Sequence, residues 1–270
     1  AVMTMNGGTI AGNTASHNGG AVYAYGSTVN VVSGTIGESG NANTATDGGG
    51  IYLAGVNNDA AVHISGGAIS YNTAAGRGAG VYAANDHSTV SVSSSGEISY
   101  NTASGNGGGV FVANASILNM SGGRIVSNTA SMGAAVMMDY GAAQFAMSAG
   151  EISLNTAGSA DGGAINTNDL STINLSGTAV IRNNPSSGEG QKNVVLAYDT
   201  NFIINTSGLS SGANIGIYVT GDNVSPYTGH GLAGKPFGFM TASDAANLNL
   251  FVNDRNTSLT GTYHEGSDYV

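Results

Sequence analysis

The stretch GAISYNTAAGRGAGVYA at residues 67–83 recurs as GEISYNTASGNGGGVFV at residues 96–112. Related copies run through most of the chain, and each has a Gly-rich turn, an S-G-x-I element and an N-T-A element. A repeat of about 28 residues predicts stacked supersecondary units, each of which contacts only its neighbours. The Asn of the N-T-A element falls at Asn13, Asn43, Asn72, Asn101, Asn128 and Asn155, with Asn183 in a degenerate further copy.

Four apolar columns run through the aligned copies and predict three short strands in each repeat. The first two columns are two residues apart and enclose a small or polar residue, which is the period of a half-buried strand. These two columns comprise Met3, Val29, Val62, Val90, Leu118, Phe145 and Ile173, and Met5, Val31, Ile64, Val92, Met120, Met147 and Leu175. The third and fourth columns comprise Ile10, Ile36, Ile69, Ile98, Ile125, Ile152 and Val180, and Val22, Ile51, Val81, Val110, Val136 and Ile165.

Identical columns must lie above one another, which predicts an all-β, single-stranded parallel β-helix (a solenoid) of about seven to eight coils. We expect the solenoid to occupy residues 1–221 and residues 222–270 to form an irregular β cap of the same domain. The Asn column is expected to form an internal ladder, because Asn tolerates left-handed backbone and stacked amides hydrogen-bond to one another.

Composition excludes several function classes. The chain has no Cys, which rules out disulfides and thiolate chemistry, and its five His are dispersed, so we expect neither a metal site nor a cofactor. The net charge is −10 and the six Lys and Arg are scattered, which argues against nucleic-acid binding. The longest apolar runs are too short for a transmembrane segment. The chain begins inside a repeat, so we expect it to be a fragment with flanking domains in a longer protein.

An aromatic column follows the Gly-rich turn and is the candidate ligand-binding site. By alternation with the buried fourth column, Tyr23, Tyr52, Tyr82 and Phe111 should face outward and form an apolar strip. Such a strip suits stacking on sugar rings or docking of a partner. The alternative is self-stacking that only stabilises the sheet.

Glu97, Arg124 and Glu151 share one column on neighbouring coils and are interpreted as a structural ion ladder. Their carboxylates should lie about 9.6 Å apart, near the separation of an inverting glycosidase pair. The Arg between them favours the ionised form of both, whereas a general acid must be protonated. His230, in a G-H-G sequence similar to that of polygalacturonases, lacks the accompanying D-D pair and R-x-K. We therefore predict no catalytic residue.

The repeats resemble the G-G-A-I and F-x-x-N repeats of chlamydial polymorphic outer-membrane proteins and related bacterial adhesins. The first motif stands as GGAV at 19–22 and GGAI at 162–165, and the second as ISYN at 69–72 and 98–101, with Ile in place of Phe. The fold resembles right-handed β-helices of the pectate-lyase type. This resemblance implies an extracellular or bacterial cell-surface segment for adhesion, or a stalk, with a host or environmental glycan or protein as partner. The alternatives are a carbohydrate-active β-helix (polysaccharide hydrolase, lyase or phage tailspike piece) and a bare spacer.

Overall fold

The structure is a computed structural model, and it describes residues 1–55, 59–84, 87–139, 141–159, 162–167, 171–187, 190–196, 203–205, 209–210, 213–219 and 251–253. All regular secondary structure in these residues is β-strand, and every strand pair but one is parallel. Each strand pairs with the strand at the same place in the next repeat, as β1 does with β3. The predicted all-β parallel β-helix is confirmed.

Each coil contributes strands to three faces. The leading face carries the first three apolar columns on β1 (Val2–Ile10), β3 (Thr28–Ile36), β6 (Ala61–Ile64), β7 (Ala68–Ser70), β10 (Thr89–Val92), β11 (Glu97–Ser99), β14 (Ile117–Val126), β17 (Gln144–Ser153), β20 (Thr172–Leu175) and β21 (Val180–Arg182). The N-T-A face carries β4 (Thr44–Ala45), β8 (Thr73–Ala74), β12 (Thr102–Ala103), β15 (Thr129–Ala130) and β18 (Thr156–Ala157). The trailing face, after the Gly-rich turn, carries β2 (Val22–Tyr25), β5 (Ile51–Ala54), β9 (Val81–Ala83), β13 (Val110–Ala113), β16 (Val136–Asp139), β19 (Ile165–Thr167) and β24 (Val194–Leu196).

The apolar columns form one continuous core along the axis. Ile98 pairs in register with Ile69 on one side and Ile125 on the other, and all three are fully buried. Each fully buried aliphatic side chain stabilises the fold by about 1.5–3 kcal/mol. In the first coil Met3, Ile10 and Val22 are only partly buried, because in the structure another coil packs against them on one side only.

The seventh coil departs from the predicted register. Ile181, not Val180, pairs with Ile152 and enters the core, while Val180 pairs with Glu151. This segment has one residue more before its second strand than the preceding coil, and the extra residue Ala179 is itself buried. Because side chains alternate along a strand, this shift of one residue exchanges the core-facing and outward positions.

Six regular coils span residues 2–167, fewer than the predicted seven to eight. In the seventh coil β22 (Pro185–Ser186) pairs antiparallel with β23 (Gly190–Gln191). Beyond it, β25 (Ile203–Asn205) pairs with β20, and β26 (Asn214–Val219) pairs with both β21 and β24. Of the predicted cap at 222–270 the structure describes only β27 (Phe251–Asn253), which pairs with β26; the rest of the predicted cap lies outside the described residues.

The predicted Asn ladder is present and is fully hydrogen-bonded. At each rung after Asn13 the Oδ1 accepts the Nδ2–H of the preceding Asn, and at every such rung except Asn72 it also accepts the backbone N–H. Asn101, for example, accepts both groups of Asn72 at 3.0 and 2.9 Å. The Nδ2 also donates to a core carbonyl, as Asn101 does to Ile69 at 2.9 Å. The rungs are Asn13, Asn43, Asn72, Asn101, Asn128, Asn155, Asn184 and Asn193.

Two details of the predicted ladder are wrong. The rung of the seventh coil is Asn184 rather than Asn183, because of the shift in register. The left-handed residue of the bend is not the ladder Asn but the residue before it, with φ between 53° and 59° at Tyr71, Tyr100, Ser127, Leu154 and Asn183. The ladder Asn points into the core, while the residue before it makes the turn.

Candidate functional site

The aromatic column of the trailing face is a continuous stack of rings. The centroid distances are 5.3 Å for Tyr23–Tyr52, 5.0 Å for Tyr52–Tyr82 and 4.9 Å for Tyr82–Phe111, and the rings are parallel within 9°. The in-register pairing of β2, β5, β9 and β13 sets this spacing, because neighbouring strands lie about 4.8 Å apart.

Only one end of this stack is exposed. Tyr23 is 53% exposed and Tyr52 is half-buried, but Tyr82 is 7% exposed and Phe111 is fully buried. The expectation that all four rings form an exposed strip is therefore wrong for Tyr82 and Phe111. These two rings pack in an outer apolar cluster with Met137, and the Arg77 guanidinium lies 5.5 Å from the Phe111 ring centroid in a cation–π contact.

Burial within the stack also changes the acidity of Tyr52. Its pKa is raised to about 12, first by desolvation and then by the neighbouring Tyr82, Tyr23 and Asp47, which disfavour a phenolate. The hydroxyl of Tyr52 thus stays protonated, as a hydrogen-bond donor, throughout the physiological range.

Polar residues beside the aromatic stack hold the turns in place. The Asp47 carboxylate accepts a hydrogen bond from the backbone N–H of Arg77 at 2.8 Å. Where the aromatic column ends, the Asn166 Oδ1 accepts backbone N–H groups from Gly133 at 2.9 Å and Gly163 at 2.6 Å. These contacts are structural.

The predicted ion ladder of Glu97, Arg124 and Glu151 is present as two separate surface pairs, because Glu151 pairs with Arg182 rather than with Arg124. Arg124 Nη1 lies 3.9 Å from Glu97 Oε2, and Arg182 Nη2 lies 3.6 Å from Glu151 Oε1. Sequence reasoning missed Arg182 because of the shifted seventh coil. All four side chains are a third to a half exposed, so each pair contributes about 0–1 kcal/mol. The two carboxylates lie on coils separated by one intervening coil, each beside a guanidinium.

The N-T-A face carries a second aromatic stack that sequence reasoning missed. The rings of Tyr71 and Tyr100 are parallel within 4° with centroids 4.9 Å apart, and they are 37% and 49% exposed. The same position of the sixth coil holds Leu154, which is 55% exposed. The signal was available in the paired ISYN motifs, where a large apolar residue precedes a buried ladder Asn and so cannot enter the core.

A row of hydroxyls runs beside this second stack. The Thr of each N-T-A element points outward between two inward residues, and Thr73, Thr102, Thr129 and Thr156 are exposed. No side-chain hydrogen bond joins these four hydroxyls to another described residue. The segments 71–75, 100–104, 127–131 and 154–158 contain no charged side chain, although the chain carries 16 Asp and Glu.

No protein-family model, curated protein or solved structure matches this chain. The resemblance to the G-G-A-I and F-x-x-N repeats therefore stays a prediction. Among the described residues, no three His, Asp or Glu side chains are grouped closely enough to hold a metal ion. The part of the chain that the structure describes has no helix long and apolar enough to cross a membrane. His230 and its flanking glycines lie outside the described residues.

Proposed function

We propose that this chain is a non-enzymatic repeat segment of a bacterial surface or secreted protein, and that it serves adhesion by binding a glycan. The observation that carries the proposal is the exposure of stacked tyrosines on a solenoid: Tyr23 at one end of the trailing face, and Tyr71 and Tyr100 on the N-T-A face. The extracellular location rests on the resemblance of the repeats.

The solenoid supplies a rigid support for these side chains. Tyr71 and Tyr100 each precede a buried ladder Asn whose amide is hydrogen-bonded to both neighbouring coils. Binding a ligand to side chains that are already ordered costs little conformational entropy, which supports useful affinity from a small contact area. A repeat segment of this kind also serves as a stalk, since its coils extend along one axis.

The chemistry of the exposed aromatics favours a sugar over a charged partner. A tyrosine combines a flat apolar ring with a polar hydroxyl, and a sugar likewise combines apolar C–H faces with a rim of hydroxyls. The N-T-A face adds exposed Thr hydroxyls and no charge. A net charge of −10 over the whole chain disfavours strongly anionic polymers.

The test is retention of the purified chain on a panel of immobilised glycans and polysaccharides, scored by saturable binding. We expect binding to fall when exposed tyrosines are replaced, in the variants Tyr23→Ala, and Tyr71→Ala with Tyr100→Ala. The matched control is Tyr82→Phe, which keeps the buried ring. Absence of saturable binding across the panel, or binding that no exposed tyrosine affects, would contradict the proposal.

A further inference from the structure

Tyr71, Tyr100, Ser127 and Leu154 occupy one position in four consecutive coils. Each immediately precedes a ladder Asn, and their φ angles of 59°, 53°, 56° and 59° show the same left-handed backbone. Equivalent backbone on stacked coils directs the four side chains to successive layers of one outer column. In the first two layers the side chains are rings in contact, 4.9 Å apart.

The third layer of this column interrupts the stack. Ser127 has no ring, so no side chain of this column covers the face of Tyr100 that is turned away from Tyr71. Tyr100 is 49% exposed and Tyr71 is 37% exposed. Leu154 resumes the apolar column in the fourth layer and is 55% exposed. Because coils are about 4.8 Å apart, the layers of Tyr100 and Leu154 are separated by about 9.6 Å.

We propose that one hexopyranose ring of a glycan binds over Ser127, stacked on the Tyr100 ring and bounded by Leu154; this site rests on the function proposed above. The opening is one layer deep, and the Tyr71–Tyr100 pair shows that a ring fits a single layer of this column. A sugar ring places its C–H faces against Tyr100 and Leu154, where they replace water on two exposed apolar surfaces.

Hydroxyls are placed to meet the polar rim of that sugar. Ser127 forms the floor of the opening, and Thr129, two residues further along the same coil, is exposed on the neighbouring position of the N-T-A face. The side chains of Ser127 and Thr129 make no hydrogen bond to another described residue, so both hydroxyls are available to donate and accept. Ligand sites typically combine apolar walls with a small number of well-placed polar groups.

The absence of charge in these layers selects a neutral sugar. Along the chain, the charged column that directly precedes these layers is that of Glu97 and Arg124, three residues before Tyr100 and Ser127, and these two side chains form an ion pair at 3.9 Å. A uronate or sialic acid would meet no unpaired cation in the described segments 100–104, 127–131 and 154–158. Glucose, galactose and their N-acetylated forms are the expected class.

The decisive variant is Ser127→Tyr, which fills the opening with the protein's own ring. The position accepts Tyr in the same left-handed conformation at Tyr71 and Tyr100, so the variant should fold and extend the stack. Binding of neutral hexose oligosaccharides should fall at least tenfold in Ser127→Tyr and in Tyr100→Ala. The matched control Ser127→Ala keeps the opening and should lose no more than about fivefold, which corresponds to one hydrogen bond of about 1 kcal/mol.

The readouts are oligosaccharide affinity by calorimetry and the thermal melting curve of each variant. Ser127→Tyr should melt at or above the wild-type temperature while it loses affinity, which separates blockage from misfolding. Binding that survives both Ser127→Tyr and Tyr100→Ala but falls with Tyr23→Ala would overturn this site and leave the proposed function standing. No oligosaccharide binding by the unmodified chain would overturn both.

Discussion

Replacing Asn101 by Ala tests whether the Asn ladder holds the coils together. The Asn101 side chain makes four hydrogen bonds: it accepts from the N–H and Nδ2–H of Asn72, and it donates to Ile69 O and to Asn128 Oδ1. Alanine keeps the backbone and removes all four. The site is fully buried, so water does not replace the lost partners without disturbing the core.

The expected loss of stability follows from these four bonds. The buried N–H of Asn72 loses its Oδ1 acceptor at 3.0 Å, at a cost of about 1–3 kcal/mol for an unsatisfied donor. The other three bonds are worth about 0.5–1.5 kcal/mol each, since the Asn72 Nδ2 keeps Ile36 O as an acceptor and the Asn128 Oδ1 keeps the backbone N–H of residue 101 as a donor. The free energy of unfolding should therefore fall by about 2.5–7.5 kcal/mol.

The assay is urea unfolding followed by circular dichroism, with Asn13→Ala as the matched control. Asn13 lies in the same column but is exposed, and its side chain donates only to Asn43 Oδ1 and Ala11 O. Asn13→Ala should cost less than about 1 kcal/mol. A loss for Asn101→Ala no larger than that for Asn13→Ala would refute the argument that buried amide rungs stabilise the coils.

Three further outcomes are expected. Ile98→Asp should unfold or aggregate the chain, because a carboxylate replaces a fully buried core side chain; an unchanged melting curve would contradict the column assignment. Leu154→Asn should raise the free energy of unfolding by about 0.5–1 kcal/mol, since Asn tolerates the left-handed backbone better than Leu, whereas Leu118→Asn at a buried strand position should be strongly destabilising. The pKa of Tyr52 is about 12 in the folded chain and about 10 in the unfolded chain. The protonated Tyr52 therefore contributes fully to the free energy of unfolding below pH 10, and this contribution is lost as the pH rises from 10 to 12. Discounted for the partial exposure of the ring, the loss of stability is about 1–2 kcal/mol. The free energy of unfolding, measured at pH 9 and pH 11.5, should change less with pH in Tyr52→Phe than in the wild type. An equal change in both proteins would contradict the assignment.

Much of the fold could be predicted because each repeat carries the same local information. Ile69, Ile98 and Ile125 recur after equivalent turns, and stacking identical coils places them above one another. The ladder Asn was recognisable for the same reason. The errors fall in the seventh coil, where one additional residue moved Ile181 and Asn184 into the positions assigned to Val180 and Asn183.

The candidate sites were less predictable, because alternation indicates the side of a sheet that a residue faces but not what covers that side. Tyr82 and Phe111 do face outward from the apolar core, yet an outer cluster with Met137 and the Arg77 guanidinium buries them. Tyr100 was overlooked because it lies in a bend, where the period of two does not apply.

The repeat by itself determined the parallel β-helix, its apolar columns and its Asn ladder, since these depend on the spacing of residues within one coil and on stacking that spacing upon itself. Only the tertiary structure decided which tyrosines are exposed and where a ring stack is interrupted, since burial of an outward side chain depends on neighbours in other coils. Tyr23 and Tyr82 occupy equivalent positions in their repeats, but Tyr23 is 53% exposed and Tyr82 is 7% exposed. The difference lies in the layers above and below each ring, which no single repeat encodes.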